Sequence, residues 1–199
     1  MSITLTPKLK KEYENLFATC KTNPEKVSAV EAIVKKILAN RNRYEEVESK
    51  TKVPWYVVAM IHSLEGSLNF KTHLHNGDPL TGKTVHVPKG RPQGKPPFQW
   101  EQSAVDALEF DNMTAVKKWT LALTLFKLEG FNGFSYRTKH PEVLTPYLWS
   151  FSNHYKKGKF VADGKFDSAA VSKQCGAAVI LKTLVTSVQG ISQELSLQR

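Results

Sequence analysis

A carboxyl group that closes a wholly apolar helix sits where its proton is hard to lose, and one residue of this chain fits that description. Trp55, Tyr56, Val57, Val58, Ala59, Met60, Ile61 and Leu64 form a run that is apolar nearly all round, and Glu65 closes it ahead of Gly66 and Ser67. A helix apolar on every side is usually buried in the middle of a domain, and glycine is a natural helix stop. Walls such as Trp55, Ile61 and Leu64 would favour the neutral carboxylic acid and raise its pKa. An acid kept protonated near neutral pH can protonate the leaving oxygen of a glycosidic bond. The plainer alternative is an exposed glutamate at a helix end.

Two further clusters carry polar chemistry. Thr72–His73–Leu74–His75–Asn76–Gly77–Asp78 places a second carboxylate shortly after Glu65. Asp78 fits a general base holding a water, or an electrostatic stabiliser, with an Asx-turn as the ordinary alternative. The separation of two such carboxyls decides whether a glycosidase inverts or retains. Four histidines, His62, His73, His75 and His86, share this span. A His-x-His pair on a strand can ligate zinc, completed by His86, Asp78 or Glu65. The HExxH and paired-cysteine signatures are absent, however, so no metal and no cofactor is expected. The third cluster is Phe131–Asn132–Gly133–Phe134–Ser135–Tyr136, with Tyr147, Trp149 and Tyr155 beyond it. Aromatic faces stack on sugar rings and amides bind sugar hydroxyls, although core packing is the default for any one ring. The expected glycan-contacting set is Ser67, His73, His75, Asn76, Thr84, Asn132, Tyr136, Tyr147, Trp149 and Tyr155.

These residues need a scaffold, and the pattern predicts a mainly helical one. Residues 8–19 read as an amphipathic helix with Tyr13, Leu16 and Phe17 on its apolar face. Asn23–Pro24 starts another, carrying Val27, Val30, Ile33, Val34, Ile37 and Leu38. Residues 41–52 read as a separate exposed helix, and Pro54 opens the apolar one. Between 69 and 98 the density of Gly, Pro and Asn excludes a long helix, and Thr84–Val87 reads as a short strand. Helices are expected again at 101–109, 114–128, 141–150 and 168–188, with a loop at 153–167. No internal repeat or low-complexity tract is evident.

With 199 residues the chain suits one domain able to bury a core without staples. Its 28 Lys+Arg against 18 Asp+Glu give a net charge of +10, which draws polyanions without specifying a fold. The candidates are nucleic acid, anionic lipid and the anionic bacterial wall. Basic residues are scattered in pairs such as Lys35–Lys36, Lys117–Lys118 and Lys156–Lys157. No dense basic block and no helix-turn-helix, zinc-finger or RNP motif appears, so nucleic acid is not the expected partner. Cys20 and Cys175 leave open a disulfide or two buried thiols. No secretory signal is visible at the N-terminus, and no stretch is apolar enough to span a membrane.

Several stretches together resemble a family of bacterial and phage-related lysozyme-like proteins. They are IHSLEGSLNFKTHLHNGDPLTGKTVHVPKGRP from Ile61 to Pro92, FNGFSYR at 131–137, TPYLWSFSNHY at 145–155 and GKFVADGKFD at 158–167. The family looks like part of the wider lysozyme superfamily, with goose-type lysozymes and soluble lytic transglycosylases. The resemblance implies an α+β, mainly α fold: a single domain over 1–199, with N-terminal helices over 1–52 and a catalytic core over 53–188. It implies a central buried helix and a small loop/β lobe at about 69–98, forming a cleft. It also implies a catalytic glutamate at the position of Glu65, while Gly66 interrupts the usual Glu-Ser pair and weakens any role for Ser67. The expected activity is cleavage of the β-1,4 glycan of peptidoglycan, by hydrolysis or by transglycosylation that leaves an anhydro sugar. The rivals are a zinc-dependent wall peptidase or amidase using His73, His75 and Asp78, and a wall-binding module without activity. A monomer acting at the cell wall, periplasmic or secreted, completes the expectation.

Overall fold

The structure, a computed structural model, describes residues 3–197. It is mainly α with a small β component, as the sequence pattern predicts. The chain divides into two compact units. One joins the chain up to Val34 with the chain from Trp119 onward; the other is the continuous stretch Lys35–Lys118. The expected boundary at residue 52 does not coincide with this division, which falls inside a helix.

In the first unit, helix α1 (Pro7–Thr19) starts where Thr6 accepts a hydrogen bond from the Leu9 amide, and it buries Tyr13 and Phe17. A 3-10 turn at Pro24–Lys26 leads into α2 (Val27–Ala39). The long return segment contains α6 (Leu121–Asn132), against which α1 packs. The helix expected from 114 begins only at Leu121, because the Thr120 hydroxyl caps the Leu123 amide there. Residues 141–150 hold only α8 (Pro146–Trp149), preceded by α7 (Ser135–Lys139). The expected loop at 153–167 instead holds an antiparallel hairpin, β1 (Lys159–Ala162) and β2 (Lys165–Asp167), with Phe160 opposite Phe166. Its turn is Asp163–Gly164, a pair suited to two-residue hairpins. Helix α9 (Ala177–Ser187) starts nine residues later than the expected 168. Before it, Gly176 lies so close to the 148–149 backbone that a Cβ would stand 2.3 Å from the Leu148 carbonyl oxygen. A short α10 (Ile191–Glu194) follows. Cys20 and Cys175 are both free and buried, and burial pushes the Cys175 thiol up to about 12.

In the second unit, α3 (Arg41–Thr51) is not simply an exposed helix: Tyr44, Val47 and Thr51 form a buried face. It packs on α4 (Trp55–Glu65) and α5 (Trp100–Phe110). Every residue of α4 from Trp55 to His62 is buried, and so is Leu64. The rings of Tyr44, His62, Phe70 and Trp100 meet at 4.5–5.9 Å between centroids. From 66 to 99 the chain is a loop lobe whose one ladder contact is an isolated bridge, Thr72 to Pro79. Thr84–Val87 forms no strand, because the Val85 and His86 amides are drawn to the Asp78 carboxylate rather than to a neighbouring strand. Among the described residues no helix is long and apolar enough to cross a membrane.

Candidate active site

Glu65 is the last residue of α4 and is half-buried. The chain leaves it through a tight reversal. The Gly66 and Leu68 amides both donate to the His62 carbonyl, at 3.0 and 3.2 Å. Ser67 and Leu68 adopt left-handed conformations, φ 50° and 59°, which cost non-glycine residues about 1–3 kcal/mol each. Gly66 itself has φ −111°, so it is not the left-handed stop that its type suggests. It is needed for space: a Cβ there would meet Thr72 Oγ1 at 2.9 Å. Gly77 has φ +78°, and a Cβ on it would lie 2.5 Å from the Glu65 carbonyl oxygen. The Asn76–Gly77–Asp78 turn is therefore seated directly on the end of α4.

Within that turn Asp78 is the organiser of the lobe. One carboxylate oxygen accepts the Val85 and His86 amides at 2.9 and 3.0 Å. The other meets His86 Nδ1 at 2.7 Å. Burial alone would raise the Asp78 pKa, but the His86 amide and ring and the Val85 amide outweigh it and hold the carboxyl below its ordinary value. It is an anion whose two oxygens are already engaged. The Asn76 side-chain oxygen accepts the Asp78 amide at 3.0 Å, an Asx-turn, and Asn76 Nδ2 donates to the Val87 carbonyl.

The other expected contacts in this lobe also serve its architecture. His73 is wholly buried between the Gly82 carbonyl, 2.8 Å from Nε2, and the Ser103 hydroxyl, 2.7 Å from Nδ1. A carbonyl only accepts, so Nε2 carries the proton and neither nitrogen is left to bind a metal. His75 Nε2 contacts Asp106 at 2.8 Å, and Arg91 clamps the same carboxylate with two bonds of 2.9 and 2.8 Å. Thr84 donates to the Pro88 carbonyl and accepts the Arg91 amide. Ser67 is the exposed member of this group.

The first unit holds Asn132, Tyr136, Tyr147, Trp149 and Tyr155. Asn132 is exposed at the end of α6, whereas the four aromatic residues are buried. Tyr136 and Tyr155 commit their hydroxyls to backbone: Tyr136 accepts the Phe160 amide at 3.1 Å, while Tyr155 donates to the Gly158 carbonyl and accepts the Ser172 amide.

Sequence reasoning missed Glu129. It is 1% exposed on α6, accepting from the Tyr13 hydroxyl at 2.6 Å and forming an ion pair with Arg137, whose Nε lies 2.8 Å away. Burial pushes its pKa up, against the pull of Tyr13 and Arg137. It lines a cavity of about 320 Å³ with Glu12, Tyr136, Arg137, Thr145 and Trp149. A signal was present: Leu128–Glu129–Gly130 repeats the Leu64–Glu65–Gly66 that ends α4.

Compared with protein-family models, curated proteins and solved structures, the chain gives no match.

Proposed function

We propose that the chain cleaves the β-1,4 glycan backbone of bacterial peptidoglycan, with Glu65 as the general acid. The observation that carries the reading is the placement of Glu65, ending a helix buried along its length and fixed by the Gly77 turn on its carbonyl. Such a frame holds an acid in one position, which proton transfer to a leaving oxygen requires. The resemblance of residues 61–92, 131–137, 145–155 and 158–167 to lysozyme-like proteins supports the same chemistry. Ser67, two residues beyond Glu65, is exposed, and the net charge of +10 favours action at an anionic wall. Glu65→Gln should fold normally and fail to clear cell-wall suspensions; full clearing by that variant would sink the assignment.

Hydrolysis is the first reading. Lytic transglycosylation is the second, and one observation favours it. Asp78 is the only acidic residue between 66 and 99, and its oxygens are spent on Val85 and His86. A route that needs one glutamate and takes the muramyl 6-hydroxyl as nucleophile asks nothing of Asp78. Mass spectrometry of released muropeptides separates the two, because the anhydro product is lighter by one water.

A further inference from the structure

Half of the Asp78 carboxylate is committed to a side chain that adds nothing to the core. His86 Nδ1 lies 2.7 Å from Asp78 Oδ1, yet the His86 side chain is 78% exposed while that of Asp78 is 8% exposed. The opposite oxygen already fixes the loop, through the Val85 and His86 amides. The ring contact is not needed to close the lobe. An exposed imidazole is ordinarily free to turn about its side-chain bonds; here a buried anion holds it in one orientation.

The tautomer follows from the partner. Asp78 is held in its ionised form, and a carboxylate only accepts hydrogen bonds, so His86 Nδ1 carries a proton. In the neutral ring Nε2 is then a lone pair, on the side of the ring away from Asp78. A histidine held by a carboxylate on one nitrogen and open on the other is arranged to take a proton from a hydroxyl nucleophile. The frame beneath it is fixed. The Asp78 carbonyl accepts the His73 amide at 2.7 Å, the Thr84 amide donates to the Arg91 carbonyl at 2.8 Å, and the Gly90 amide donates to the Thr84 carbonyl at 2.9 Å. Gly77, immediately before Asp78, seats the same turn on the Glu65 carbonyl. One turn therefore joins the histidine's anchor to the end of α4. Val85 and Val87, on either side of His86 in the chain, are exposed apolar surface that a bound sugar ring would cover.

We propose that His86 is the base of the Glu65 site, taking the proton of the hydroxyl that attacks the glycan C1, with Asp78 as its positioning residue. The assignment rests on the reading of Glu65 as the general acid. The O–H bond of the attacking hydroxyl breaks and its proton goes to Nε2, while the oxygen forms the new bond to C1. The glycosidic bond breaks, and the leaving oxygen takes the Glu65 proton. The imidazolium, stabilised by the Asp78 anion, returns a proton through solvent to the Glu65 carboxylate before the next turnover. The nucleophile is a hydroxyl in both routes, water or the muramyl 6-hydroxyl, and product masses tell which.

The test compares the parent, His86→Gln and Glu65→Gln on solubilised peptidoglycan strands, with and without sodium azide. Glutamine keeps an N–H for Asp78 but has no basic nitrogen, so His86→Gln should retain the parent's circular dichroism and urea midpoint. Its kcat should fall by about a hundredfold or more, the scale of general-base contributions, with KM little changed. Azide attacks C1 without losing a proton. It should therefore restore turnover in His86→Gln and appear in the product as a glycosyl azide by mass spectrometry, which relief of a packing defect would not produce. Azide should leave Glu65→Gln inactive, because the leaving oxygen still lacks its proton donor. Parent-like turnover by His86→Gln, or slow turnover that azide does not restore, would overturn the role of His86 and leave that of Glu65 standing. A parent that releases no glycan fragments would overturn both.

Discussion

Asp78 shows how much of a residue's role is set by what reaches it. The Asn–Gly–Asp spelling makes a turn legible, and the Asx-turn is there. The sequence does not reveal that two amides and a ring from seven and eight residues downstream converge on the same carboxylate. That convergence depends on the path of the loop, which local propensity does not encode. The two candidate roles make different demands on a variant. Asp78→Asn keeps one oxygen for the two amides but removes the charge and sets an NH₂ group against His86 Nδ1. If Asp78 organises the lobe, the variant should lose about 1.5–3 kcal/mol of stability, the scale for hydrogen bonds to a charged group, measured as a lowered urea midpoint. A catalytic base alone would instead leave the midpoint unchanged and abolish wall clearing. Glu65 was the more legible of the two carboxylates, because its setting is a helix written in consecutive letters. Glu129 was hidden because its partners, Tyr13 and Arg137, come from other elements of the fold.

Helix α4 was readable as an element for the same reason: apolar residues all round leave no exposed face to assign. What the pattern could not supply is the set of elements around it. His62, three residues before Glu65, packs among Tyr44 of α3, Trp100 of α5 and Phe70. Burial depresses its pKa from 6.5 to about 4, with the nearby Asn69 backbone opposing the effect and the Arg43 charge adding to it. Burial lowers His75 in the same direction. The folded state therefore refuses a proton that the unfolded chain accepts. Stability is fully present above pH 6.5 and is lost as pH falls toward about 4, by on the order of 3 kcal/mol from His62. Denaturant midpoints across that window should fall with pH in the parent and fall less in His62→Gln. An unchanged slope in the variant would remove His62 as the cause. Other elements failed for definable reasons. Thr84–Val87 has strand-like letters but spends its amides on Asp78, whereas the hairpin over Lys159–Asp167 carried its Asp–Gly turn in plain view.

At the scale of the whole molecule, the class of fold was legible from composition and periodicity, and the grouping of its parts was not. Nothing in the first 34 residues announces that they belong with the chain after 118. That association rests on contacts such as Tyr13 to Glu129, separated by 116 positions, and long-range pairing leaves no periodic trace. The discontinuity has a consequence for how the protein is made. Residues 35–118 are contiguous and can complete their contacts as soon as they clear the ribosome. Helix α1 has its side of the core ready first but must wait for Glu129 to be synthesised, roughly 6–23 s at translation rates of about 5–20 residues per second. During that interval Tyr13 lacks its α6 partner, and Phe17 lacks Lys182 of α9. Nascent chains arrested just after residue 118 has left the exit tunnel should therefore yield a protease-resistant fragment from the middle of the sequence and none from its start. Equal protection of the two regions at that length would show that the N-terminal segment has found another shelter. Helix α1, which precedes every other element described, is set to be among the last parts to find its place.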